Sequence, residues 1–149
     1  MPHQRVPTDV DYQRLLALRT GLRRFQHWSE EQAQRSGLTS GQHQLLLAIR
    51  GHVGSQAPSV GDIADALLLR QHSATELIDR ASLAGLVVRR DDPTDARMVR
   101  LALTPLGRRR LASLSILHME ELKRLGRQIA PLIGALDFLE NEDAPVPQM

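Results

Sequence analysis

The sequence predicts a mostly α-helical protein with one small β-hairpin, and two patterns support this fold class. Through most of the 149 residues, apolar side chains recur every three or four positions, which is the spacing of amphipathic helices. From residue 86 to residue 103 the period shortens to two, and the turn cluster Asp91–Asp95 interrupts the alternation. The fold is therefore expected to consist of helices and a single two-stranded hairpin.

Capping residues set where the predicted helices begin. Thr39 and Gln42 have the spacing of a capping box, Ser59 suits the N-cap of the next helix, and Thr104 followed by Pro105 marks a strong helix start. Pro131 is expected to end the last long helix. The predicted helices cover residues 9–36, 40–50, 60–68, 71–84, 105–129 and 132–139, and the predicted strands cover residues 86–90 and 98–103.

The first predicted helix is unusually long for a small domain. At 1.5 Å per residue it extends about 40 Å, which is typical of a dimer interface or a spacer. Residues 1–8 and 141–149 hold two prolines each and show no periodicity, so they are predicted to be flexible tails.

Composition excludes several classes of protein. The chain has no cysteine, which excludes a disulfide framework, a cysteine-ligated zinc site and thiol chemistry. It has no apolar run near the roughly 18 residues of a membrane span and no apolar signal-peptide core, so a cytoplasmic protein without membrane association is expected. It also lacks the phosphate-binding, dinucleotide-binding and nucleophile-elbow motifs, so neither an enzyme nor a cofactor is expected.

The histidines do not predict a metal site. His27 with Glu30 or Glu31, and His118 with Glu121, have the spacing of one helix turn, but such pairs arise often by chance. We therefore expect no bound metal.

Positive charge is concentrated in the middle of the chain. The net charge is only +2, but the stretch from Arg70 to Arg110 contains nine arginines and five acidic residues, and the remaining residues sum to a negative charge. Because binding to nucleic acid requires clustered rather than total charge, this stretch is the candidate for it.

Two short helices joined by a brief turn and followed by a basic hairpin describe a winged helix-turn-helix. The second helix of the pair carries polar side chains at its N-terminal end, off the apolar stripe, where they can reach base edges in a DNA major groove. These side chains are Gln71, His72, Ser73, Thr75 and Glu76.

The predicted hairpin is the wing of this arrangement. Arg97 lies at its tip, with Arg89, Arg90 and Arg100 nearby, and an arginine at a protruding tip suits insertion into a minor groove. Asp95 is placed to hold the Arg97 guanidinium by a bidentate pair. The alternative is that the hairpin is a plain basic surface and that Asp95 is only a turn former.

These segments resemble the MarR family of bacterial transcription regulators, from about Asp9 to Leu139. The resemblance implies a winged helix-turn-helix at residues 38–104. It also implies that residues 9–37 and 105–140 form a helical region that joins two copies into a homodimer. The matching runs are Leu38-Thr39-Ser40-Gly41-Gln42, Ile63-Ala64-Asp65-Ala66-Leu67, Leu77-Ile78-Asp79-Arg80, Gly85-Leu86-Val87-Val88-Arg89-Arg90, Asp92-Pro93-Thr94-Asp95-Ala96-Arg97 and Leu103-Thr104-Pro105-Leu106-Gly107.

The resemblance also implies the residues that contact double-stranded DNA. Arg97 matches the wing arginine of the family and Asp95 matches the acid that orients it. The chain departs from the family at Glu76, where a basic residue is common, and this acid either weakens a phosphate contact or accepts from cytosine N4 instead. It also departs at Leu68, where a turn glycine is usual. The predicted DNA-binding residues are Arg70, Gln71, His72, Ser73, Thr75, Glu76, Arg89, Asp95 and Arg97.

The start of the recognition helix has two interpretations. Arg70 is a poor N-cap for a helix that begins at Gln71. Ser73 and Glu76 have the spacing of a capping box, which would begin the helix two residues later and leave residues 70–72 in the turn.

Many members of the family release DNA when a small aromatic or anionic effector binds beside the DNA-binding lobe. The corresponding ligand candidates here are Phe25, His27, Trp28, His43 and Arg50. For the aromatic residues a core or dimer-interface role is the alternative, and for the histidines an ordinary solvated side chain.

The sequence therefore predicts a homodimeric repressor that binds a pseudo-palindromic operator with half-sites about one helical turn apart. The alternative is a winged-helix module that binds other proteins through the same arginines.

Overall fold

The computed structural model describes residues 6–137 of the chain. Five helices and one antiparallel hairpin confirm the predicted fold class. The elements are α1 (Asp9–Arg35), α2 (Ser40–Arg50), α3 (Val60–Leu67), α4 (Gln71–Leu83), β1 (Val87–Asp91), β2 (Val99–Leu103) and α5 (Pro105–Asp137). Residues 6–8 are exposed and have no regular structure, whereas the remainder of the two predicted tails lies outside the described residues.

The chain forms two compact units. One, the winged unit, comprises residues 29–117 and contains α2, α3, α4 and the hairpin. The other, the helical unit, comprises residues 1–28 and 118–149, and its described part contains α1 up to Trp28 and α5 from His118 onward. In this unit Gly21 of α1 faces Leu125 and Ile129 of α5. None of the helices within residues 6–137 has the length and apolar character needed to cross a membrane.

The caps of α2 and α3 are both reciprocal. Thr39 Oγ1 accepts from the Gln42 amide at 3.1 Å, and the Gln42 side chain accepts from the Thr39 amide at 3.0 Å, as predicted. Ser59 caps α3, and Asp62 completes a second capping box that the sequence analysis did not identify. Each box satisfies amide groups that the first turn of a helix leaves unpaired.

The prediction that Pro131 ends a helix was wrong. α5 continues through Pro131 to Asp137, so the predicted break and the separate helix at residues 132–139 are replaced by one helix. A proline removes one helical hydrogen bond, here to the carbonyl of Arg127. Both residues are exposed, so water can hydrate that carbonyl and the helix continues. Residues 138 and 139 lie outside the described range.

The core of the winged unit is aliphatic. Leu45 and Leu46 of α2, Ile63 of α3 and Ile78 of α4 are almost fully buried and pack with residues of the hairpin. The strands pair in register, with Val87 opposite Leu103 and Arg89 opposite Leu101. The core cluster is Ala33, Leu38, Leu45, Leu46, Ile49, Ile63, Ile78, Ala81, Leu86, Val87, Leu101, Leu103, Leu111 and Leu114.

The first turn of α5 lies directly against the start of β1. The Thr104 amide donates to the Leu86 carbonyl at 3.0 Å, and the Thr104 hydroxyl donates to the Gly85 carbonyl at 2.6 Å. Gly107, one turn into the helix, is buried against the same Leu86 carbonyl: a Cβ at this position would lie 2.2 Å from the oxygen. Only glycine allows this approach of helix and strand.

The turn between α3 and α4 contains Leu68 in the left-handed region, at φ 54° and ψ 41°. It is the one residue other than glycine with positive φ in residues 6–137. Its side chain is 92% exposed, so no packing compensates for the strain. The position thus has the conformation that a glycine would favour, as the departure at Leu68 indicated.

We expect Leu68→Gly to raise the free energy of unfolding by about 1 kcal/mol. The left-handed conformation costs a leucine about 1–2 kcal/mol, and the greater freedom of glycine in the unfolded chain cancels part of the gain. Denaturant unfolding measures the difference. As a control, Leu83→Gly replaces a leucine that is 89% exposed at the end of α4, and it should destabilise instead. Equal losses from both variants would contradict the strain at Leu68.

Candidate nucleic-acid interface

The recognition helix begins at Gln71. Arg70 is the N-cap, with φ −68° and ψ 150°, and its side chain makes no capping hydrogen bond. The alternative start two residues later, with Ser73 and Glu76 as a capping box, was therefore wrong. Gln71 and His72 belong to the first turn of α4 rather than to the preceding turn.

The N-terminal end of α4 presents the predicted polar side chains together. Arg70, Gln71, His72 and Ser73 are exposed, whereas Ala74 in the same turn is fully buried. A buried alanine in the first turn anchors the helix and leaves its polar end accessible. A helix N-terminus also carries partial positive charge, which favours approach to phosphate.

Two members of this group interact within the helix. The Thr75 hydroxyl donates to the Gln71 carbonyl at 2.9 Å, so it is already engaged with the backbone. The His72 Nε2 atom lies 3.3 Å from Glu76 Oε1, and both side chains remain more than half exposed.

Arg89 of the wing contacts two residues of α4. Val87 and Arg89 share one face of β1, because side chains alternate along a strand. From this face Arg89 forms an ion pair with Asp79 and also contacts the Ser82 hydroxyl at 3.4 Å. Arg89 therefore joins the wing to the recognition helix, and part of its charge is matched by Asp79.

Arg97 is the most accessible of the predicted wing residues. Its side chain is 94% exposed, and Asp95 Oδ1 accepts from the Arg97 amide at 3.0 Å and from Nε at 3.4 Å. This differs from the bidentate pair that was predicted, since only one carboxylate oxygen and one guanidinium nitrogen take part. Because the side chain is 94% exposed, its guanidinium group is accessible to a DNA groove.

The pair that anchors the loop end of the hairpin was not predicted from the sequence. Asp92 is buried, and its Oδ2 accepts from Arg100 Nε at 2.9 Å. Arg100 also donates to the Ala57 carbonyl at 3.1 Å and to Gln56 Oε1 at 2.6 Å. It therefore connects the hairpin to the loop between α2 and α3. The partners are more than 40 residues away in sequence, so only the turn sequence after Asp92 could have indicated part of this network.

Asp92 also organises the loop at the tip. Its Oδ1 accepts from the Thr94 hydroxyl at 2.7 Å, from the Thr94 amide at 2.8 Å and from the Asp95 amide at 3.0 Å. The hydrogen bonds from Thr94 have the largest effect on the pKa of Asp92, and the bond from Arg100 has the next largest. Together they hold this pKa well below its ordinary value.

This depressed pKa predicts an acid-sensitive contribution to stability. The contribution of Asp92 is complete above the ordinary carboxyl pKa of about 4 and declines as the pH falls below it toward the folded-state pKa. Asp92→Asn replaces one acceptor with an amide group, so we expect a lower melting temperature at pH 7 and a flatter profile between about pH 5 and pH 3. Circular dichroism melts measure both.

The neighbouring substitution Asp91→Asn provides the control, because Asp91 is exposed. It should leave the melting temperature and its pH dependence close to those of the wild type. An Asp92→Asn variant that loses as much stability in acid as the wild type would contradict the role of Asp92.

The ligand candidates are divided between the two units. In the helical unit, Phe25 and Trp28 pack around His118, whose ring centre lies 4.9 Å from that of Trp28 and 5.9 Å from that of Phe25. His27 on the same helix is exposed. In the winged unit, His43 is buried, whereas Arg50 is exposed at the end of α2.

Arg50 contributes to a cationic cleft in the winged unit. Two adjoining cavities of about 480 and 310 Å³ share Arg50, Leu103 and Arg108. Arg108 Nη1 donates to the Leu103 carbonyl at 3.1 Å, which fixes its side chain over the cleft. None of the described residues lining either cavity is acidic, and most of them are apolar. The cleft therefore suits a small organic anion.

The helical unit contains a cavity of about 810 Å³ between α1 and α5. Apolar side chains of both helices line it, together with Arg24 and the ion pair of Glu121 with Arg124. In residues 6–137 no three His, Asp or Glu side chains lie close enough together to hold a metal ion.

Comparison with known proteins agrees with this geometry. The model of the MarR family matches residues 36–98. A search of curated proteins gives no significant match. The structure is similar to that of a MarR family transcription regulator, with a TM-score of 0.71 and 25% identity over 89% of this chain and 86% of the other.

Two further structures share the fold. A mutant MarR from E. coli, complexed with operator DNA, has a TM-score of 0.66 and 19% identity over 85% of this chain and 90% of its own. BpsR from Bordetella bronchiseptica, whose DNA binding is regulated by 6-hydroxynicotinic acid, has a TM-score of 0.62 and 22% identity over 83% of this chain and 96% of its own.

The resemblance found in the sequence is thereby confirmed. Helices α3 and α4 form the helix-turn-helix, and the β1–β2 hairpin forms the wing. Residues 36–98 match the model of the MarR family, and the chain has the winged helix-turn-helix fold of MarR family transcription regulators.

Proposed function

We propose that this protein is a homodimeric transcription regulator of the repressor type that binds a pseudo-palindromic DNA operator. One observation carries the proposal: a single compact unit exposes both the polar N-terminal end of α4 and the guanidinium of Arg97. An exposed helix end and an exposed wing arginine are the two features that major-groove and minor-groove recognition require. The E. coli MarR structure with operator DNA supports the same interpretation.

In this proposal residues 38–104 are the DNA-binding domain. The N-terminal end of α4 enters the major groove, where residues 70–73 and 76 approach bases and phosphates. Arg97 enters the adjacent minor groove, and Asp95 limits the directions that its side chain can take. Arg89 positions the wing against α4 through its ion pair with Asp79.

The homodimer is proposed to form through residues 9–37 and 105–140. The described part of the helical unit exposes more apolar side chains than a monomeric helix pair would need. The cavity between α1 and α5 offers further apolar surface to a second copy. The exposed apolar residues of this unit include Val10, Tyr12, Leu15, Leu16, Leu22, Met119, Leu122 and Ile133.

An effector is proposed to bind in the cationic cleft beside Arg50 and Arg108. Two guanidinium groups in a mostly apolar cleft are complementary to a small aromatic carboxylate. The regulation of BpsR by 6-hydroxynicotinic acid supports this chemical class. Within the proposal, Phe25, His27, Trp28 and His43 are secondary ligand candidates.

The first experiment is an electrophoretic mobility shift with the purified protein and the DNA upstream of its own gene. We expect a shifted band that resists nonspecific competitor and weakens steeply between low and high salt, because phosphate contacts release counterions. Sedimentation of the same sample should give twice the monomer mass. Addition of 6-hydroxynicotinic acid, used as a probe, should release DNA from the wild type but not from Arg50→Ala.

The absence of any shift at low salt would contradict the proposal, provided that bound ligand is first removed by denaturation and refolding. That outcome would favour the alternative function, a winged-helix module that binds acidic protein surfaces. A shift that disappears equally with any competitor DNA would show nonspecific binding and would exclude an operator.

A further inference from the structure

We propose that Glu76 selects a cytosine in each half-site by accepting a hydrogen bond from the N4 amino group of that base. The inference rests on the proposed function, since it requires α4 to lie in the major groove. The proposed function does not say which residue selects which base. The present inference names one side chain of α4 and the base that it selects.

The position of Glu76 on α4 supports this role. His72, Glu76 and Arg80 follow one another at intervals of four residues, so they lie along one face of the helix, and all three are exposed. The opposite face carries Ala74, Ile78 and Ala81, which are fully buried in the core. Glu76 therefore lies near the middle of the face that a major groove would meet.

The contact with His72 orients the carboxylate. Because His72 Nε2 lies 3.3 Å from Glu76 Oε1, that oxygen is directed back along the helix. The other oxygen, Oε2, is then the one that can accept a hydrogen bond from a base.

The charge balance of α4 also distinguishes Glu76. The helix contains two acidic residues, and Asp79 is paired with Arg89 of the wing. Among the described residues, Glu76 forms an ion pair only with the exposed His72. A carboxylate brought among phosphates in a groove is unfavourable unless a base provides a donor.

Only one base presents a donor and no acceptor of its own in the major groove. In the major groove, guanine presents N7 and O6 acceptors and thymine presents an O4 acceptor, both of which repel a carboxylate. Adenine places its N6 donor next to the N7 acceptor. Cytosine presents the N4 amino group alone, so it is the base that Glu76 accepts.

The test is selection of binding sites from a random duplex library with the wild type, Glu76→Gln and Glu76→Ala. We expect wild-type sites to contain cytosine at one position in each half-site. Glu76→Gln should select adenine at that same position, because a glutamine can donate to N7 and accept from N6. Glu76→Ala should select no base there.

Affinities for single duplexes then give the magnitude. Replacing the cytosine should weaken wild-type binding about tenfold, or about 1.4 kcal/mol, and should change Glu76→Ala binding less than about twofold. The matched control is Glu120→Gln, which removes the same charge from an exposed position of α5 and should select the wild-type sites.

Two outcomes overturn the inference, and they differ from failure of the proposed function. If Glu76→Gln binds more tightly but selects the same sites as the wild type, Glu76 acts only as a repulsive charge. If the base that changes is not a cytosine in wild-type sites, the hydrogen bond to N4 is excluded. If the wild type recovers no competitor-resistant site at all, operator binding itself fails, and the role of Glu76 fails with it.

Discussion

Gly107→Ala will destabilise the protein by about 3 kcal/mol and lower its melting temperature by roughly 10 °C. The added Cβ would lie 2.2 Å from the Leu86 carbonyl oxygen, and the atom it meets is backbone rather than a movable side chain. The same carbonyl accepts from the Thr104 amide, so it cannot retreat without loss of that hydrogen bond. The first turn of α5 must therefore move away from the start of β1.

Thermal unfolding of the variant tests this expectation, with Gly61→Ala as the control. Gly61 lies in α3 of the same unit, and a Cβ there would meet only the Ser59 hydroxyl at an ordinary 3.7 Å. Alanine at this helical position should be neutral or slightly stabilising. If Gly107→Ala had the same melting temperature as Gly61→Ala, the close approach of α5 and β1 would be contradicted.

Arg97→Ala will weaken operator binding about tenfold at moderate salt and will reduce the slope of log affinity against log salt by about 2, because the proposed dimer carries two copies of Arg97. Arg97 is 94% exposed and has only a 3.4 Å contact with Asp95, so its charge is available to a minor groove. A narrow A·T-rich groove concentrates negative potential, and the loss should be largest on operators with such flanks. Fluorescence anisotropy over a salt series, with A·T-rich and G·C-rich flanks, measures both effects.

The control is Arg23→Ala, which removes an exposed arginine from α1 in the helical unit. Its salt slope and flank preference should equal those of the wild type. If Arg97→Ala retains the full preference for A·T-rich flanks, the wing does not enter the minor groove in the proposed way.

The starts of the elements were largely predictable because they depend on local chemistry. Thr39 with Gln42, and Thr104 before Pro105, begin helices where the sequence indicated, since a cap involves residues only a few positions apart. The hairpin was predictable from the change of period and the turn cluster. Pro131 was misjudged because its cost depends on exposure, which the local sequence does not specify.

The exposed residues of the candidate site were predictable from the sequence, but the hydrogen bonds that hold the hairpin in place were not. Gln71, His72 and Arg97 could be placed because an exposed position follows from the helical period or from a turn. The partners of Arg100 could not, because Gln56 and Ala57 approach it only through the tertiary fold. The burial of Asp92 was not predictable either, since an aspartate before a proline is ordinarily a turn residue.

The hydrogen bonds around Asp92 have a consequence for the entropy of DNA binding. The amides of Thr94 and Asp95 are held by Asp92, the Met98 amide donates to the Asp95 carbonyl, and the Asp92 amide donates to Met98. Ordering a free loop would cost about 1–2 kcal/mol per residue, but this loop loses that freedom when the protein folds. Insertion of the wing then needs to restrict little more than the rotamers of Arg97, which cost about 2 kcal/mol at most. The loop therefore meets DNA with its conformational entropy already lost.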